Sequence, residues 1–173
     1  MIYEFKGKKP KIPKTAFVHP AATVIGDVVL GEHSSIWPGA VVRGDFGTIR
    51  IGKYTCIQDN AVIHAGDVYD GKLAYASVNI GDYVVIGHHA LIHGATVESQ
   101  CVVGGGSIVF NRARVKRGAL VGLGAVVLAE AEVPSKTIVV GIPARPLRSL
   151  TEQEFNNIKS QATNYSKLAK AYL

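Results

Sequence analysis

The stretch VESQCVVGGGSIVFNRARVKRGALVGLGAVV, residues 97–127, places an aliphatic residue at every sixth position: Val97, Val103, Val109, Val115, Val121 and Val127. A period of six is neither a helical nor a simple alternating pattern, and it marks a repeat architecture. Working outward, the same step links Val24, Leu30, Ile36 and Val42, then Ile51, Ile57 and Ile63, then Ile80, Ile86 and Ile92. The residue four places after each aliphatic is almost always small, as at Ser34, Ala40, Thr55, Ala61, Ala90, Cys101, Ser107, Ala113, Ala119 and Ala125. Glycine often follows the aliphatic directly, at Gly31, Gly52, Gly81, Gly87, Gly104 and Gly122. A short strand that buries one large side chain and then turns over a small inner corner builds a prism with three flat faces per coil. The hexapeptides therefore predict a mainly β fold, a triangular parallel β-helix of about five coils stacked about 4.8 Å apart.

The register breaks at three places. Residues are inserted between Val42 and Ile51 and between Ile63 and Ile80, and one is missing between Ile92 and Val97. Insertions in such a coil are expected to bulge outward as loops. After Val127 the pattern fades, and Gly141 to Pro146 reads as an extended closing turn, because proline excludes helix before it. Thr151 with Glu154 has the capping-box spacing, and Phe155, Ile158, Ala162, Tyr165, Leu168 and Tyr172 fall near helical spacing. One domain is expected, with residues 1–150 as β-helix and 151–173 as an amphipathic helix packed on it.

Composition narrows the function. The chain has 173 residues, 47% hydrophobic and 18% charged, which excludes disorder. No apolar run reaches transmembrane or signal-peptide length, so no membrane partner and a cytoplasmic location are expected. The net charge is +6, but the basic residues are spread without interleaved aromatics, so nucleic acid is not expected as a partner. Cys56 and Cys101 are the only cysteines, with no paired zinc-ligand spacing.

The register fixes where histidines point. His64 follows Ile63 and His93 follows Ile92, so strand alternation turns both outward. Registers 63 and 92 are one full coil apart, which stacks the two rings on one face at a strand spacing, close enough to share a metal. His88 follows Ile86 by two positions, across a corner, and its side chain diverges from theirs. A three-ligand site is therefore completed most easily by a second chain, and a ring of three chains would repeat that contact. His19, His33 and His89 lack this support. Arg43 precedes His64 by one coil in the same column, Gln58 lies beside His88, and Asp45 and Asp59 are near enough to pair with Arg43 or orient a histidine.

These residues resemble those of the γ-class carbonic anhydrases, hexapeptide-repeat proteins that wind as left-handed parallel β-helices. The resemblance covers nearly the whole chain and rests on Gly26-Asp27-Val28, Ser35-Ile36-Trp37, Arg43-Gly44-Asp45, Gln58-Asp59-Asn60, His64, Gly87-His88, His93-Gly94 and Gly141 to Ala144. It implies a left-handed coil and a homotrimer with zinc, or else iron or cobalt, held between subunits by His64, His88 and His93. It also implies that Arg43 and Asp45 join neighbouring subunits and that Gln58 hydrogen-bonds near metal-bound solvent. Carbon dioxide and bicarbonate would be the substrate pair, interconverted by water acidified on the metal toward a pKa of about 7. Phe46 stands where the family's prototype has a proton-shuttling glutamate, and Cys56 replaces an asparagine. Asp67 and Asp70, in the insertion after His64, are left as the proton-carrying candidates. The alternatives are a metal-dependent thioesterase, a hexapeptide acyltransferase using coenzyme A and one histidine base, and a metal- or siderophore-binding or scaffold protein without turnover.

Overall fold

The computed structural model describes residues 1–67 and 75–172. Its strands form a left-handed parallel β-helix of about seven turns. The long strands Thr23–Leu30 and Val41–Ile51 each run along two faces. One face, called here the histidine face, continues through Val62–His64, Leu91–His93, Ile108–Val109 and Val126–Val127. The second, the open face, continues through Val78–Ile80, Thr96–Val97, Arg114–Val115 and Glu132–Val133. The third runs from Phe17–Val18 through Ser35–Ile36, Cys56–Ile57, Val85–Ile86, Val102–Val103 and Leu120–Val121 to Thr137–Val140.

The pairing reproduces the six-residue register. Val42 lies beside Ile63, Ile63 beside Ile92, and Ile92 beside Val109. These aliphatics point inward and are fully buried, each contributing roughly 1.5–3 kcal/mol against exposure. The repeat runs further than its sequence suggests. Val18 precedes it, and Val133 and Val139 extend it, in register with Val115 and Val121. The last coil is disguised by Pro134. In the coil before, Lys116 N–H donates at 3.0 Å to the Val133 carbonyl, whereas Pro134 begins the turn after the last strand of the open face. Its missing N–H therefore breaks no ladder bond.

The two insertions behave differently from the expected loops. The first stays inside the continuous strand Val41–Ile51, absorbed by a register shift opposite Gly26 and Val28. The second leaves the histidine face as a two-stranded antiparallel pair, Gly66–Asp67 with Tyr75–Ala76. Past the turn at Gly141–Ala144, Arg145–Ser149 folds back antiparallel on Thr137–Val140 and covers the last parallel edge. The helix Glu152–Ala169 begins at the Thr151 capping box and buries Ile158, Ala162, Ser166 and Ala169. It packs on the third face, where Tyr165 and Ala169 meet Phe17, Trp37 and Cys56. Leu168, expected in the buried stripe, is instead exposed, while Tyr172 reaches Trp37 edge-on at 5.3 Å. Among the described residues no helix is long and apolar enough to cross a membrane.

Candidate metal centre

His64 and His93 occupy paired positions on neighbouring strands, with ring centroids 5.1 Å apart. Inward Ile63 and Ile92 hold the strand phase that aims both imidazoles outward. The rings are nonetheless well covered, and His64 is only 6% exposed. Phe110 stacks on His93 at 5.0 Å, Phe46 lies 5.9 Å from His64, and Tyr75 stacks on Phe46 at 5.2 Å. Burial in this aromatic setting lowers the His64 pKa, with the positive charge of Arg43 adding to it and a hydrogen bond to Asp45 opposing it. His64 is thus held neutral at pH 7, the form that donates a lone pair.

Asp45 joins two of the expected residues within one chain. Its Oδ1 accepts from His64 Nε2 at 2.9 Å, and its Oδ2 pairs with Arg43. Burial pushes the Asp45 carboxyl upward, but hydrogen bonds from Arg43 and His64 outweigh it and hold the pKa below the ordinary value. To ligate through Nε2, His64 would have to exchange this bond, and Asp45 would keep Arg43 as its partner.

His88 sits at the corner after Val85–Ile86 and is well exposed. Its Nδ1 lies 3.0 Å from Asp59 Oδ2, and its backbone N–H donates at 3.1 Å to Oε1 of buried Gln58. Asp59 thereby orients His88 with Nε2 outward. Asp70 and the Asp67 side chain lie outside the described residues. His33 stacks on Tyr54 at a different corner, His19 lies beside Tyr172, and His89 takes a left-handed turn position at φ 58°.

Sequence reasoning missed Asn111 and Phe110. The signal was present, because the column holding Arg43, His64 and His93 continues to Phe110 and Leu128 in the same register, but Phe110 and Asn111 are not titratable. Counting only ionisable groups passes over them.

The donor chemistry fits a divalent ion: imidazoles, with His64 held neutral by burial, ring nitrogens already oriented by second partners, and an apolar wall. Among the described residues, no three His, Cys, Asp or Glu side chains of one chain cluster closely enough to hold a metal. A three-histidine centre therefore needs a residue from a second chain.

Fold and outward histidines together define a hexapeptide-repeat β-helix protein with a candidate metal centre. A model of bacterial transferase hexapeptide (six repeats) matches residues 9–44. The chain is 43% identical to gamma carbonic anhydrase 1, mitochondrial, of Arabidopsis thaliana, over 95% of its own length and 60% of that protein's. It is 36% identical to a carbonic anhydrase of Geobacillus kaustophilus, covering 99% of this chain and 91% of the relative. A hexapeptide transferase family protein from Anaplasma phagocytophilum has the same fold, with a TM-score of 0.92, 37% identity and coverage of 99% of this chain and 98% of that one. This chain belongs to the γ-class carbonic anhydrase family. It spans about 60% of the length of the Arabidopsis relative.

Proposed function

We propose that the protein catalyses reversible hydration of carbon dioxide to bicarbonate as a homotrimer. Zinc, or else iron or cobalt, would be held by His64 and His93 of one chain and His88 of the next. The observation that carries this reading is the His64–His93 pair, in register on adjacent strands with both rings turned outward from the core. A divalent ion bound there supplies Lewis acidity that brings the pKa of water toward about 7.

The chain's own residues do the rest. His64 stays neutral through burial, and Asp59 and Asn111 fix the orientations of His88 and His93. Gln58 commits Oε1 to the His88 backbone, so its amide N–H2 is the donor end for a substrate oxygen. Phe46 and Phe110 supply apolar walls suited to carbon dioxide. Asp67 and Asp70 are the proposed proton carriers, Asp67 being three residues from His64. Asp67→Asn with Asp70→Asn should lower the buffer-dependent part of turnover.

Stopped-flow hydration with metal content measured on the same trimer tests the reading. Activity with zinc, iron or cobalt, lost by at least 100-fold in His64→Ala, His88→Ala and His93→Ala, is expected. Metal-replete trimer inactive with all three ions would overturn it. Acyl transfer, the rival chemistry on this fold, would instead survive metal stripping and require coenzyme A.

A further inference from the structure

We infer that Asn111 is the positioning residue that fixes the tautomer and ring orientation of His93, holding the Nδ1–H form so that Nε2 is the nitrogen presented for ligation. The inference rests on the proposed metal reading of His93. Asn111 is 5% exposed and lies just past the strand Ile108–Val109, one coil beyond His93. Its Oδ1 is 2.7 Å from His93 Nδ1.

An amide oxygen has only lone pairs to offer, so the hydrogen in this short contact belongs to the ring. A neutral imidazole with a proton on Nδ1 carries its lone pair on Nε2. Two further features stop the ring from rotating away. Phe110, the residue before Asn111, lies nearly parallel to the His93 ring, at 16°. Gly94, at φ +56°, clears the space for the amide, since a Cβ there would come within 2.7 Å of Asn111 Oδ1.

The choice of an amide has a consequence that a carboxylate would not. His88 is oriented by Asp59, which adds negative charge beside its ligand. Asn111 fixes His93 without adding charge, in a pocket where His64 already leans on Asp45.

Metal-free protein labelled with nitrogen-15 reports the tautomer of His93 directly from its ring nitrogen shifts. Wild type is expected to show the Nδ1–H form. Asn111→Leu, and Asn111→Ala should the larger side chain disturb folding, should show mixed tautomers and a zinc affinity 10- to 100-fold weaker by chelator competition, with the trimer intact. Asn111→Asp keeps an acceptor and should keep the Nδ1–H form. A wild-type Nε2–H form, as a flipped amide donating from Nδ2 would produce, overturns the inference. So does an Asn111→Leu trimer with wild-type tautomer and zinc affinity. Wild type with the Nδ1–H form but no zinc uptake sustains the clamp and overturns the metal reading instead.

Discussion

At Gly66 an added Cβ would fall 1.9 Å from His93 Cε1 and 2.3 Å from its Nε2. Its φ is not among the positive ones, so alanine would meet no backbone objection there, and the whole conflict would be with the ring. Gly66→Ala should therefore fold, but with His93 turned from its place and zinc affinity lowered at least tenfold by chelator competition. Unchanged affinity would show that the ring is free to move. The outward direction of His64 and His93 was legible because the period of six fixes inside and outside. The contacts that hold the rings were harder to read: the register places Phe110 and Asn111 one coil beyond His93, but Gly66 lies where the insertion leaves the coil and no spacing links it to the ring. The distances also show that Arg43, Asp45 and His64 form one chain of contacts within a single subunit, which a column count cannot reveal.

Elements show a different balance. Strand phase and the capping box could be read directly, whereas the last two aliphatic registers were hidden by Pro134 and by the charged residues Glu130 and Glu132. The corners hide more. His33, Tyr54, Tyr83 and Gln100 all stand three places after an inward aliphatic and all take positive φ, between 54° and 59°. Such a turn costs roughly 1–2 kcal/mol for a side-chain-bearing residue, and here Tyr54 recovers part of it by stacking on Tyr83 at 5.1 Å. At the helix start, Glu154 accepts from Arg148 and from the Thr151 backbone, which hold its pKa down at about 2 from an ordinary 4.5. A depressed carboxylate stabilises the fold fully above its unfolded pKa and loses that contribution as pH falls from about 4.5 toward about 2. Trp37, the sole tryptophan, packs against Tyr165 of the helix and reports its docking. The urea midpoint of its fluorescence should fall between pH 5 and pH 2.5, and Glu154→Gln should lower the midpoint at pH 6 while flattening that acid limb. An equally steep acid limb in Glu154→Gln would place the sensitivity elsewhere.

At the scale of the whole molecule, the three faces of the prism have three different outer surfaces. The third face is apolar and is covered by the helix, with Trp37, Cys56 and Phe17 beneath Tyr165 and Ala169. The open face carries Arg50, Asn79, Thr96, Arg114 and Glu132, with ion pairs from Arg114 to Glu98 and from Lys116 to Glu132, as a water-facing sheet should. Among the described residues, the outward aliphatic row of the histidine face has neither remedy. Val41, Val62, Leu91, Ile108 and Val126 form one outward row in continuous register, and Phe110 and Leu128 extend the histidine row beside it. Val62 is 38% and Leu128 50% exposed. A two-row apolar strip on a parallel sheet is what a partner surface looks like, and His88 stands on the corner next to it in the same coil as His93. If a second chain brings that corner against this face at equal height, one contact both buries the strip and completes the histidines. Leu91→Asp should then give a folded, monomeric β-helix by light scattering, with zinc affinity lost along with the trimer. Thr96→Asp, in a strand of the open face, should leave both unchanged. A Leu91→Asp protein that remains trimeric would move the subunit contact off the histidine face, and a Thr96→Asp protein that dissociates would move it to the open one.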